Sequence, residues 1–149
     1  MPQSKPEDAG NLASSYAVLC VTPFQNDHLM LRQILSGGWI VHHASTFCGA
    51  KNLLQANSYL LVLCEREIPP YTWKDLFVET TSLPDAPFFL VTATNADDGL
   101  WAEALNWGVY DVLAKPFQNA EVVRAVNMSA LHRNYRRPAP KPLARSAAR

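Results

Sequence analysis

Residues 104–117 read ALNWGVYDVLAKPF, and this short stretch moves from helix to strand to turn. Ala104 and Leu105 close an apolar face that begins upstream in NADDGLWAEALNWG, and Gly108 is the natural helix stop because glycine alone takes the left-handed cap at little cost. YDVLA, residues 110–114, reads as a short strand, and KPF turns the chain out of it. Upstream, Asn95 is the expected helix cap, with the acids that follow placed where the helix dipole favours negative charge.

The same alternation holds in both directions from this stretch. FFLVTA, before the helix, and YLLVLC, earlier still, are continuous apolar runs, the mark of strands covered on both faces. WKDLFVETT lies between them, with Thr72 as its cap. WIVHHAS and YAVLCVT are two further strands. Ser45 or Thr46 can cap a helix through GAKNLLQAN, and Leu29, Leu31, Ile34 and Leu35 give NDHLMLRQILSGG its helical spacing, with Gly37 as its stop. NAEVVRAVNMSALHRNYRR closes the series as an amphipathic helix. Five strands alternating with five helices predict an α/β fold, a doubly wound parallel sheet with helices on both faces, since right-handed crossovers leave few other arrangements.

Composition supports one such unit. The chain has 149 residues, 48% of them hydrophobic, enough for one good core and not for two. Residues 1–15 read as a flexible N-terminal tail, 16–136 as the domain, and 137–149 as a flexible basic Pro/Ala-rich tail. Charge is uneven: residues 1–132 hold seven Lys/Arg against thirteen Asp/Glu, while 133–149 hold six basic residues and no acid. No run approaches the length of a membrane helix and no segment resembles a secretory signal, so the expected location is the cytoplasm. Cys20, Cys48 and Cys64 lack metal-site spacing and read as buried free thiols. The loop TPFQND after the first strand has no glycine, which disfavours a phosphate-binding loop. His42 and His43 adjoin on one strand and point to opposite faces, and His28 and His132 fall on helices, so no metal cluster and no cofactor is expected. No nucleophile and base are placed together, and the chain is not expected to be an enzyme.

In sheets of this kind function gathers at the carboxyl ends of the strands. Those ends are Thr22-Pro23, Ser45, Glu65, Thr92-Ala93 and Lys115-Pro116. The segment from about 16 to 135 resembles a receiver domain of the response-regulator (CheY-like) family. LVLCEREIP, FFLVTA and above all ALNWGVYDVLAKPF carry the likeness, with Ala104, Gly108, Asp111, Lys115, Pro116 and Phe117 at the family's spacing. The resemblance implies strand order 2-1-3-4-5 and a signalling role in a two-component phosphorelay.

Members of that family phosphorylate an aspartate at the end of strand three, using Mg²⁺ held by it and by an acidic pair after strand one. A Thr or Ser after strand four and a Lys after strand five contact the phosphoryl oxygens. Here Thr92 and Lys115 match those contacts, but Glu65 stands at the acceptor position and Thr22 and Pro23 at the acidic pair. Counting from the second proline instead would put Arg66 at the acceptor position; neither register restores an aspartate. Mg²⁺ needs several hard oxygen ligands, usually with one or two carboxylates, and phosphoryl transfer depends on the charge it neutralises. The expectation is a degenerate, pseudo-receiver member that neither binds Mg²⁺ nor becomes phosphorylated. Asp27, five residues past Thr22, reads as a cap of the first helix rather than a substitute ligand.

Glu65 and Lys115 are expected to pair, either as a structural ion pair or in imitation of the phosphorylated contact. The family's switch aromatic is replaced by Val112, and Tyr110, offset by two positions, should point to the same side. Leu100 and Ala104 are expected to face the sheet, leaving Trp101 and Leu105 outward as a partner interface on the face of helix four, strand five and helix five. The implied partner is a histidine kinase, an output protein or a second copy of the chain. The alternatives are a receiver still phosphorylated by a histidine kinase at an unorthodox site, and a nucleic-acid-binding adaptor using the basic tail. No membrane partner is expected.

Overall fold

The computed structural model describes residues 17–136. Both expected tails, 1–15 and 137–149, lie outside the described residues. Five strands form one sheet: β1 Ala17–Val21, β2 Ile40–Ala44, β3 Leu61–Glu65, β4 Phe88–Ala93 and β5 Asp111–Ala114. All are parallel, and their order is β2-β1-β3-β4-β5. The helices are α1 Gln25–Ile34, α2 Phe47–Ala56, α3 Trp73–Thr81, α4 Asp98–Trp107 and α5 Asn119–Arg136.

Period-two alternation divides the core into two layers. Leu19, Val21, Val62, Cys64, Phe89, Val91 and Val112 pack with Ala50 and Leu54 of α2, Trp73 and Leu76 of α3, and Leu100 and Ala104 of α4. Val18, Cys20, Leu61, Leu63, Leu90 and Leu113 pack with Leu31 of α1, with Leu35 just past its end, and with Val122, Ala125 and Val126 of α5. Every residue of β1, β3 and β4 is buried, as strands covered on both faces require.

The helix ends follow local chemistry. Thr46 caps α2, its hydroxyl accepting from Gly49 N at 3.0 Å. Thr72 caps α3 in a reciprocal box with Asp75, whose carboxylate accepts from Thr72 N at 2.9 Å. Gly108 ends α4 at φ 100°. The cap of α4, however, is Asp97 and not Asn95, because the Asp97 carboxylate accepts from Leu100 N at 2.9 Å. Helix α1 ends at Ile34, short of Gly37, and Leu29 is half exposed at its surface.

Cys20 and Cys64 are buried, and burial pushes the Cys20 thiol up to about 12, with Asp27 and Glu65 adding to the effect. Cys48 is exposed, because the second position of α2 faces away from the layer that Ala50 and Leu54 enter. The charged run after β3 adds an element the apolar pattern did not announce. Glu67–Ile68 and Tyr71–Thr72 pair as a two-residue antiparallel ribbon around Pro69-Pro70, and lead directly into α3. No helix among the described residues is long and apolar enough to cross a membrane.

Candidate functional site

The parallel register sets Glu65 directly beside Thr92 at the carboxyl edge of the sheet. Alternation turns both side chains away from the layer of Cys64 and Val91, toward the side carrying α1 and α5. The Thr92 hydroxyl donates to Glu65 Oε1 at 2.9 Å, and Lys115 Nζ donates to the same oxygen, also at 2.9 Å. Glu65 is 7% exposed. Arg66, the residue given by the other counting, points elsewhere. Arg66 N donates to the Thr92 carbonyl and its guanidinium reaches the Asn95 carbonyl at 3.4 Å, so Arg66 lies outside this cluster.

A third charged group completes the centre. Lys115 Nζ lies 2.6 Å from Asp27 Oδ2, so one ammonium bridges two carboxylates. This corrects the expected capping role of Asp27: the cap of α1 is Phe24, which makes no side-chain cap bond, and Asp27 in the first turn faces the lysine instead. The Phe24 ring covers the ammonium, its centroid 4.8 Å from Nζ, a cation–π contact on the solvent side. Thr22 is buried, and its hydroxyl accepts from Phe24 N at 3.0 Å, which shapes the turn into α1. Pro23 is exposed.

Burial sets the electrostatics. It raises the Glu65 carboxyl above the ordinary carboxylate value, and the opposing bonds from Lys115 and Thr92 do not fully offset it. Burial alone would lower Lys115, but hydrogen bonds to Asp27 and Glu65 outweigh that and lift its ammonium above the usual lysine value. The charge on Lys115 is therefore held firmly, and Glu65 is the softer partner.

These residues do not fit the Mg²⁺ that an active receiver holds. Thr22 and Pro23 offer no carboxylate, and the two carboxylates that are present both face the Lys115 ammonium, which stands where a cation would share them. Among the described residues no group of three or more His, Cys, Asp or Glu side chains is arranged to hold a metal ion.

Two ring contacts went unread in the sequence. His28 of α1 stacks on His43 of β2 with ring centroids 3.8 Å apart, and His43 Nε2 approaches the Thr22 carbonyl at 3.2 Å. Burial, His43 and Arg32 lower the His28 imidazole below its ordinary value. Tyr110 does not share the side of Val112. It stands before β5, packs on Phe88 at 4.9 Å and meets His132 Nδ1 at 2.6 Å through its hydroxyl, in the α5 layer, whereas Val112 belongs to the opposite one. The cause is the irregular chain at Tyr110, which breaks the strand alternation before Asp111. On α4, Leu100 and Ala104 face the sheet and Leu105 is 51% exposed. Trp101 is half-buried and packs against the core instead of standing free. Trp101, Leu105, Tyr110, Arg124, Met128 and His132 line an open groove along the β5 edge between α4 and α5.

No protein-family model and no curated protein matches the sequence. Solved structures do match. The signal receiver domain of an HD domain-containing protein from Pseudomonas fluorescens Pf-5 superposes with a TM-score of 0.75 at 23% identity, over 83% of this chain and 92% of that one. A response regulator receiver domain protein from Clostridium thermocellum gives 0.72 at 16% identity, over 80% and 98%. The chemotaxis response regulator CheY4 of Vibrio cholerae gives 0.68 at 19% identity, over 76% and 98%. The chain therefore has the CheY-like receiver fold, a five-stranded parallel sheet between two helical layers. At these identities the likeness concerns the fold.

Proposed function

We propose that this chain is a receiver-like signalling module of the two-component type that binds a protein partner without being phosphorylated. One observation carries the reading: Thr92 and Lys115, the residues whose counterparts in receivers contact the phosphoryl group, both already engage Glu65 Oε1. An anion of the protein thus occupies the contacts that a phosphoryl group would otherwise receive, and a phosphodonor would approach an acidic centre with no Mg²⁺ to neutralise it. The pair imitates a phosphorylated contact in kind while fixing a single arrangement.

Recognition then falls to the surface. The groove between α4 and α5 offers Leu105 and Met128, 51% and 39% exposed, beside Tyr110 and Arg124, a mixture of apolar and polar groups suited to a protein partner. A histidine kinase, an output protein or a second copy of this chain would meet it there, in the cytoplasm, and no catalytic step or cofactor is required. The test is nuclear magnetic resonance of the labelled protein with Mg²⁺ and beryllofluoride, a phosphoryl mimic. Unmoved amides at Glu65, Thr92 and Lys115 are expected; saturable shifts at all three would overturn the reading.

A further inference from the structure

The departure of this centre from a metal site has a more specific consequence. We propose that the Lys115 ammonium is the resident cation of the centre, with Asp27 supplying, from the first turn of α1, the second carboxylate that the loop after β1 lacks. This rests on the reading above, in which the centre is not a phosphorylation site.

Three observations support it. The ammonium touches both carboxylates, at 2.6 Å and 2.9 Å, so each acid has its charge met by the same atom. All three side chains are largely withdrawn from water, 11% exposed for Lys115, 9% for Glu65 and 19% for Asp27, so the attraction is weakly screened and the carboxylates would repel one another without it. The contacts also join three separate segments: the end of β3, the start of α1 and the turn between β5 and α5. Mg²⁺ bridges segments in the same manner, through hard oxygen ligands from different parts of a chain. Here a tethered side chain does so, and Phe24 closes the solvent side over it.

Two results follow. The wild-type domain should be indifferent to divalent cations, because the carboxylates already share a cation that cannot diffuse away. Removing the ammonium should expose a latent divalent site, since Glu65 and Asp27 would then face each other uncompensated, with the Thr92 hydroxyl beside them.

The test is thermal unfolding of the full chain with 0 and about 10 mM Mg²⁺, Mn²⁺ or Ca²⁺, for wild type, Lys115→Met and Lys115→Met/Asp27→Asn. We expect no shift for wild type, a rise of about 4 °C for Lys115→Met, as for a ligand near tenfold above its Kd, and loss of that rise in the double variant. A wild type that shifts as much as Lys115→Met overturns the proposal, and so does a Lys115→Met protein that gains nothing. If Lys115→Met is unfolded without metal, circular dichroism reads the same titration as divalent-driven refolding, and absence of refolding overturns it. The two proposals fail separately. Metal-independent phosphorylation of wild type at a residue outside this centre would remove the binding-module reading alone, whereas a wild-type thermal shift with Mg²⁺ and no phosphoryl adduct would remove only the resident cation.

Discussion

Asp27 and Lys115, 88 residues apart in the chain, meet at 2.6 Å beside Glu65. The contact joins the first helix to the turn after the last strand and gives the ammonium two acids to hold. Its two carboxylates are not equivalent: Glu65 is more deeply buried than Asp27, and its carboxyl is raised. The behaviour of this centre under mutation and pH follows from that asymmetry.

Removing the ammonium should be costly. Lys115→Met leaves Glu65 and Asp27 facing each other with little water, and loss of one partner from a buried ionic cluster typically costs about 3 kcal/mol. Without the lysine the Glu65 carboxyl rises further, so its penalty is present at neutral pH and is relieved as pH falls and the acid protonates. Urea unfolding at pH 7.5 and 5.5 should show a smaller deficit against wild type at the lower pH; an equal deficit at both would contradict the electrostatic cause.

Neutralising Glu65 should be mild by comparison. Its folded-state carboxyl lies above the ordinary value of 4.5, so the charged form is on balance disfavoured by folding. Glu65→Gln keeps an oxygen for the Thr92 hydroxyl and leaves Asp27 on Lys115. Stability at pH 7 should be equal to or above wild type, by less than about 1 kcal/mol. Because the wild-type penalty is complete only above the raised pKa and vanishes below the unfolded one, any gain should disappear toward acid. A loss exceeding about 2 kcal/mol at pH 7 would show that the pair is a strong net stabiliser.

His28 predicts a second pH dependence of opposite sign. Its folded-state pKa is lowered by burial, then by His43 and Arg32, so the unfolded chain binds its proton more readily. Stability should fall as pH drops below 6.5, the ordinary histidine value, until the lowered folded pKa is passed. His28→Leu should flatten that part of the profile in pH-scanned chemical unfolding; an unchanged slope would assign it elsewhere.

Gly108→Ala should cost about 1 kcal/mol, because an alanine at φ 100° is strained. Space is not the reason, since an added Cβ would meet Phe77 only at 3.8 Å. Thermal unfolding would check this, and a neutral result would mean that the end of α4 relaxes out of the left-handed cap.

The fold was legible because β1, β3 and β4 are continuous apolar runs and because α2, α3 and α4 each have one readable end. Thr46, Thr72 and Gly108 each mark an end through a local bond or backbone angle that the residue type implies. The positions of Glu65, Thr92 and Lys115 were legible because parallel strands bring their carboxyl ends to one edge. Asp27 was not, since its partner lies far along the chain and a first-turn acid has a sufficient local explanation in the helix dipole. The exposure of Cys48, the half-burial of Trp101 and the side taken by Tyr110 depend on helix rotation and on the chain's irregularity before β5, which spacing alone does not fix.

Intact-protein mass after incubation with a small phosphodonor and Mg²⁺ separates a binding module from a working phosphoacceptor. Wild type should be compared with a variant carrying Thr22→Asp, Pro23→Asp and Glu65→Asp together. Wild type should gain no phosphoryl group, and an adduct should form on the restored variant, whose acids supply the missing ligands and acceptor. A phosphoryl adduct on wild type would contradict the binding-module reading.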